Sequence, residues 1–102
     1  MLPTLTPEER AAALEKAARA RTQRAEVKNN LKRGATTLAA VLDYAAGDEV
    51  IARMKVSVLL ESLPGVGKIR AAQAMERLGI SESRRVRGLG ASQRAALLEW
   101  AA

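Results

Sequence analysis

The 102-residue sequence contains no cysteine, no histidine and no phenylalanine, and it has only one tyrosine and one tryptophan. Without cysteine the chain forms no disulfide, and without cysteine and histidine it lacks the ligands of common zinc sites. Imidazole catalysis is excluded too, so most enzyme classes lose their usual base or nucleophile. Two aromatic residues are too few for a platform that stacks single-stranded bases. We therefore expect a protein that is not an enzyme and uses no cofactor or metal, with Tyr44 and Trp100 packing at the edge of a core.

Positive charge dominates the composition. Lysine and arginine number 17 against 11 acidic residues, which gives a net charge of +6. Such an excess favours nucleic acid or an anionic membrane surface as the partner. No stretch has the apolar length of a membrane span, and Met1-Leu2-Pro3 does not begin a signal peptide. A cytoplasmic protein that binds nucleic acid, and not a membrane, is therefore expected.

Residues 1–33 are expected to form a long basic helix. Thr6-Pro7-Glu8-Glu9 is a strong helix start, good helix formers continue to Arg33, and Gly34 is a typical stop. This segment has eight basic and four acidic residues but few large aliphatic ones. Packing therefore holds its first part weakly, and the excess of positive charge suggests an arm that DNA orders. The alternative is a solvated, alanine-rich helix.

Residues 34–102 are expected to form a helical core, within a single domain overall. Helical spacing and stop signals predict four helices, at about 38–46, 49–63, 68–78 and 92–100, with a loop or short turn at 81–90. The third is predicted to pack through Ile69, Ala72, Met75 and Leu78, which recur at three-residue steps. No segment alternates like a strand, so the predicted fold class is all-α.

The segment Leu63-Pro64-Gly65-Val66-Gly67 is too rich in glycine and proline to be helical. It joins two helices and leaves bare backbone N–H groups at the start of the second, where Lys68 and Arg70 add positive charge. This arrangement is a phosphate-binding device made mostly of main chain. A Walker A loop would need serine or threonine after Lys68, and a dinucleotide fingerprint would need glycine in place of Arg70. DNA or RNA phosphate contact is favoured over a hairpin that merely turns a corner. Pro64 is counted among the DNA-contacting residues, where it either presses against a base step or only shapes the turn, and the second role is favoured.

Two long segments are similar to the actinobacterial integration host factors. One runs from Val56 through Leu63-Pro64-Gly65-Val66-Gly67-Lys68 and on from Met75 to Gly90, and the other includes Leu5 to Ala17 and Arg24-Ala25-Glu26-Val27-Lys28. The resemblance covers nearly the whole chain. It implies a helix–two-turns–helix core with a long basic N-terminal helix packed on it. It also implies a nucleoid-associated protein that binds double-stranded DNA with low sequence specificity, bends it, assists phage integration and affects transcription.

The resemblance also implies which residues contact DNA. The hairpin residues Gly65, Val66, Gly67 and Lys68 would face phosphate. Arg84, Arg85 and Arg87 would support the same surface from the adjoining loop. A second DNA-facing surface is assigned to the N-terminal helix, with four candidates: Arg21, Arg24, Lys28 and Lys32.

Backbone amides and Lys68 cannot read bases, so they would position the protein without selecting sequence. Two separated basic surfaces either bend one duplex or bridge two. The implied protein is a monomer when free, lies in the nucleoid and has phage integrase as a possible partner.

Two other functions compete with DNA binding. A structural RNA-binding protein of the ribosomal helix–two-turns–helix type shares the core element, but that family typically carries a long basic C-terminal tail that Leu98-Glu99-Trp100-Ala101-Ala102 does not resemble. An enzyme would need a positioned carboxylate, lysine nucleophile or metal cluster. The three acidic residues that lie closest together in the sequence are better interpreted as a helix end and a helix cap: Asp43, Asp48 and Glu49.

Overall fold

The computed structural model describes residues 4–102, and these residues form six α-helices without a β-sheet. The helices are α1 (Pro7–Lys32), α2 (Leu38–Tyr44), α3 (Glu49–Ala52), α4 (Val56–Glu61), α5 (Lys68–Leu78) and α6 (Ala91–Ala101). Two short 3₁₀ turns, Ala45–Gly47 and Val86–Gly88, complete the described elements. The predicted all-α class is confirmed. The expectation for Met1-Leu2-Pro3 lies outside the described residues.

None of the helices in the described part of the chain is both long enough and apolar enough to cross a membrane.

Helix α1 begins and ends where its sequence signals predict. The Thr6 hydroxyl accepts a hydrogen bond from the Glu9 amide at 3.1 Å, and the Glu9 carboxylate accepts one from the Thr6 amide at 3.4 Å. This reciprocal capping box satisfies two amides that a helix start leaves without partners. At the other end Gly34 has φ +74°, a left-handed conformation that glycine adopts without strain.

Only the second half of α1 packs on the rest of the protein. All side chains from residue 4 to residue 19 are exposed, and Leu14 is 67% exposed. Leu31 is fully buried, and Val27 packs against the core. The Gln23 amide nitrogen donates a hydrogen bond of 2.5 Å to the Asp48 carboxylate. These contacts hold α1 against the start of α3. The exposed first half of α1 contributes only Ala13, Lys16 and Ala17 to a shallow groove that it shares with α3.

The predicted single helix at 49–63 is wrong, because the chain breaks it into α3 and α4. The Val86 amide donates to the Met54 carbonyl at 2.9 Å, and the Val56 amide donates to the Arg84 carbonyl at 3.0 Å. Lys55 and Arg85 thereby form an isolated antiparallel β-bridge. Pairing with a distant segment overrides the helical preference of the local sequence.

The predicted apolar face of α5 is also partly wrong. The buried side chains of α5 are Ala71, Ala74 and Met75, whereas Ile69 is 75% exposed and Ala72 is exposed as well. Each three-residue step turns about 300° around an α-helix, so residues at such steps drift by about 60° and leave the core face within a few steps. Met75 remains on that face, and Leu78 packs against it from the helix end.

Helix α6 closes the core next to α5 and α2. Leu97 is fully buried, and Trp100 packs at the core edge as predicted. Arg94 of α6 forms an ion pair with Asp43 of α2. The same expectation was wrong for Tyr44, which is 64% exposed.

Leu31→Ala should destabilise the protein by about 3 kcal/mol, because the change removes a fully buried side chain and leaves a cavity. The matched change Leu14→Ala in the same helix should alter the free energy of unfolding by less than about 0.5 kcal/mol. Urea denaturation of both variants checks this. Equal losses would show that the first half of α1 also packs on the core.

The contribution of Asp48 to the stability of the fold should depend on pH. The Ile51 amide, followed by the Gln23 side chain, holds the pKa of Asp48 below its ordinary value of 3.8. A carboxylate with a depressed folded-state pKa stabilises the fold above its unfolded pKa, and this stabilisation is lost as the pH falls through the folded value. The parent should therefore exceed Asp48→Ala in stability at pH 7, and the difference should shrink below about pH 4. Urea midpoints across this range measure it, and a constant difference would contradict the assignment.

Candidate nucleic-acid interface

The hairpin between α4 and α5 is a tight turn built by one proline and one glycine. The Val66 amide donates to the Leu63 carbonyl at 3.0 Å, which closes a four-residue β-turn. Pro64 occupies the second position and Gly65, with φ +74°, occupies the third. This is the pattern of a type II turn, in which proline presets φ and the third residue needs positive φ. Pro64 thus shapes the turn, as predicted.

The start of α5 has no side-chain cap. Gly67 is the N-cap residue in an extended conformation, and no side chain accepts from the first-turn amides. The first hydrogen bond of the helix runs from the Ala71 amide to the Gly67 carbonyl at 3.0 Å. The amides of Lys68 and Ile69, which come before Ala71, therefore have no acceptor within the helix. These groups carry the positive end of the helix dipole. A chemical group that binds there would be an anion.

The approach to these amides is open. Gly67 and Lys68 are exposed, and a Cβ atom built on Gly67 would meet no atom within 4 Å. Since Gly67 also has negative φ, neither packing nor backbone conformation inside the described chain demands glycine there. Close approach of an external group to the backbone would demand it.

Arg70 braces the hairpin. Its guanidinium donates a hydrogen bond of 3.0 Å to the Gly65 carbonyl, across the turn. Lys68 lies in a shallow groove between α4 and α5, together with Lys55, Ser57, Glu61 and Glu82. Of the predicted hairpin residues, Lys68 is exposed and forms no ion pair within the described residues, while Arg70 is partly used within the turn.

The three arginines after α5 have different environments. Arg84 folds back, half-buried, and donates to the Gly88 carbonyl at 2.9 Å. Arg85 is exposed, and its guanidinium donates to the Arg53 carbonyl at 2.6 Å. Arg87 is exposed on the 3₁₀ turn. The arginines predicted to support one surface thus diverge, and Arg85 alone reaches the cleft described next.

A cleft of about 440 Å³ opens between α1, α3, α4 and the β-bridge. Five basic residues and no acidic residue line it, around an apolar floor of valine and methionine. The lining residues are Arg24, Lys28, Val50, Arg53, Met54, Lys55, Val58 and Arg85. We refer to this feature as the basic cleft. It brings together Arg24 and Lys28, which were predicted for a second surface on the N-terminal helix, and Arg85, which was predicted to support the hairpin surface.

Arg53 and Lys55 are the cleft residues that the sequence did not reveal. They were assigned to the interior of one long helix, and only the β-bridge turns them toward α1. Arg53 also forms an ion pair of 2.7 Å with Glu49 at the rim of the cleft. Lys55 lines both the basic cleft and the groove that contains Lys68. Lys55 therefore connects the basic cleft with the groove of Lys68, in which Glu61 and Glu82 balance the two lysines.

Arg21 and Lys32 are exposed but do not line the cleft. At about 100° per residue, Arg21, Arg24, Lys28 and Lys32 lie within about 80° of one another around α1. The four candidates in the N-terminal helix thus share one side, with Arg24 and Lys28 turned toward the core and the other two at its margin.

The acidic residues near Gly47 serve the fold. The Asp48 carboxylate accepts from the Ile51 amide at 3.1 Å, which confirms the predicted cap of α3. Within residues 4–102, no group of three or more acidic side chains is arranged to hold a metal ion.

Residues 31–100 match the protein family described as S13-like H2TH domain. The integration host factor of Streptomyces coelicolor is 68% identical over 96 residues, which cover 94% of this chain and 90% of that relative. The integration host factor of Mycobacterium tuberculosis is 61% identical over 98 residues, covering 96% of this chain and 93% of the relative.

A solved structure described as sIHF bound to an 8bp palindromic DNA superimposes with a TM-score of 0.84. It is 61% identical and covers 86% of this chain and 99% of its own. At this identity and coverage the resemblance to the actinobacterial proteins is confirmed. The chain belongs to the integration host factor family of actinobacteria, whose helix–two-turns–helix core is of the S13-like type.

Proposed function

We propose that this protein binds double-stranded DNA with little sequence preference and acts as a nucleoid-associated architectural protein without enzymatic activity. The observation that carries the proposal is the uncapped, open start of α5, together with a cleft that is lined by five basic residues and no acidic one. The relative at 61% identity that was solved with DNA supports duplex DNA as the ligand.

The hairpin binds one strand through its backbone. The amides of Gly67, Lys68 and Ile69 donate to phosphate oxygens, and the Lys68 ammonium adds a charge-assisted contact. Arg70 keeps the turn in shape through the Gly65 carbonyl. Because phosphates are identical along the duplex, this contact fixes position without reading sequence.

The basic cleft provides a second contact with the sugar-phosphate backbone. Arg24, Lys28 and Arg85 line it from two sides, and the Arg53 carbonyl holds the Arg85 guanidinium in place. Arg21, Lys32 and Arg87 add charge at longer range, while Arg84 maintains the loop. With roughly five to eight phosphates neutralised, log K should fall against log[salt] with a slope of about −4.5 to −7.

A duplex held at two places can be bent. Smooth bending of a 20–30 bp site costs about 1–6 kcal/mol, which two backbone contacts of this kind are able to offset. Bending would bring distant sites together, which assists phage integrase and influences transcription. Bridging of two duplexes is the other geometry, and the change in end-to-end distance of a doubly labelled duplex separates the two.

We also propose that the protein is a monomer when free. The exposed large apolar residues in the described chain are scattered over different elements and form no broad patch: Leu5, Leu14, Tyr44 and Ile69. Sedimentation analysis without DNA measures the oligomeric state.

The S13-like description of the matched family favours RNA as a second candidate ligand. Backbone amides and lysine bind RNA phosphates as readily as DNA phosphates. Competition between duplex DNA and double-stranded RNA of the same sequence, across a salt series, decides between them. Equal or tighter binding of RNA would favour the structural RNA-binding function.

Gly67→Leu should weaken duplex binding by roughly 10- to 100-fold, because loss of one charge-assisted hydrogen bond costs about 1.5–3 kcal/mol. The leucine side chain would occupy the open approach to the α5 amides. Gly47→Leu is the matched control, since a Cβ at Gly47 also meets no atom within 4 Å and this glycine lines neither the basic cleft nor the groove of Lys68. Fluorescence anisotropy with a labelled duplex measures both. Parent-like binding by Gly67→Leu, with an unchanged thermal melt, would disprove the hairpin contact.

The double variant Lys28→Ala with Arg85→Ala should make the salt slope shallower by about two units, and equally for unrelated sequences. The control removes two charges elsewhere, with Arg19→Ala and Arg77→Ala. Arg19 pairs with Glu15 at 2.9 Å and does not line the cleft. The salt slope of this control double variant should stay close to that of the parent. Equal slopes for the two double variants would mean that the basic cleft does not contact DNA.

A further inference from the structure

Ile69 is a large apolar residue without a packing role in this fold. Its side chain is 75% exposed, the highest value among the exposed large apolar residues of the described chain. It is the second residue of α5, next to Lys68, and does not line the groove in which Lys68 lies. Folding gains little from such a residue, because its apolar surface stays in water and β-branched residues are only moderate helix formers.

Ile69 lies at the proposed phosphate contact. Its own amide is one of the first-turn amides that precede the Ala71–Gly67 hydrogen bond. The side chain therefore starts at the residue that would hold a phosphate oxygen. The groups on either side of a phosphate in a nucleic acid are sugars. In DNA their 2′ carbon carries only hydrogen, whereas in RNA it carries a hydroxyl that donates and accepts hydrogen bonds.

We infer that Ile69 packs against the deoxyribose beside the bound phosphate and makes the hairpin selective for DNA over RNA. The inference rests on the proposed DNA binding. Contact with deoxyribose removes apolar surface from water on both partners. A ribose in the same place would press its 2′-hydroxyl against the isoleucine side chain, where it loses hydrogen bonds to water without a replacement.

The phosphate-binding groups of the hairpin do not distinguish the two sugars. The amides of Gly67 and Lys68 and the Lys68 ammonium bind phosphate, which DNA and RNA have in common. An apolar side chain beside them distinguishes the sugars.

The test compares Ile69→Ser with the parent, using duplex DNA and duplex RNA of identical sequence at one salt concentration. Loss of the sugar contact should weaken DNA binding about fivefold. RNA binding should stay the same or improve, since serine can hydrogen-bond the 2′-hydroxyl, so the DNA-to-RNA affinity ratio should fall about five- to twentyfold. Ile69→Leu keeps an apolar side chain and should retain most of the ratio.

Tyr44→Ser is the matched control. Tyr44 is 64% exposed and lines neither the basic cleft nor the groove of Lys68, so both affinities should stay at the parent values. Thermal melts of the variants should match the parent because both residues are exposed. An unchanged ratio for Ile69→Ser, or equal losses for DNA and RNA, would overturn the inference while DNA binding itself stands. Failure of the parent to bind duplex DNA would instead refute the proposed function, and the inference with it.

Discussion

Two backbone hydrogen bonds join the segment between α3 and α4 to the segment after α5, from Val86 to the Met54 carbonyl and from Val56 to the Arg84 carbonyl. They interrupt a stretch whose apolar residues recur at helical spacing, and they turn Lys55 toward solvent between the hairpin and α1. They also hold Arg85 where it can donate to the Arg53 carbonyl. Without this β-bridge, the basic cleft would lose one of its walls, because Arg85 would not face Arg24 and Lys28.

Helix α1 combines structural and electrostatic roles within one element. Leu31, Val27 and the Gln23–Asp48 hydrogen bond dock its second half on the core. The same half carries the basic residues that face the cleft, so docking of the helix sets the distance between its charges and Arg85. The exposed first half makes no comparable contact, and its three basic and three acidic side chains between residues 7 and 19 add no net charge.

Local signals in the sequence predicted the parts of the fold that local chemistry determines. The capping box of α1, the Asp48 cap and the proline–glycine turn all depend on residues within a few positions, and all three are confirmed. The split between α3 and α4 depends on residues about 30 positions apart, so Arg53 and Lys55 went unrecognised. Three-residue steps misplaced Ile69, because 3.6 residues per turn carry such a series around the helix. The predicted DNA contacts remain predictions.

Amide chemical shifts of the labelled protein during titration with a short duplex test the central claim most directly, namely that phosphate binds at the open start of α5. The account predicts the largest changes at Gly67, Lys68 and Ile69, with a second group of changes at residues 53–55 and at Arg85. Changes confined to α2 and α6, with the amides of Gly67, Lys68 and Ile69 unmoved at saturation, would contradict it.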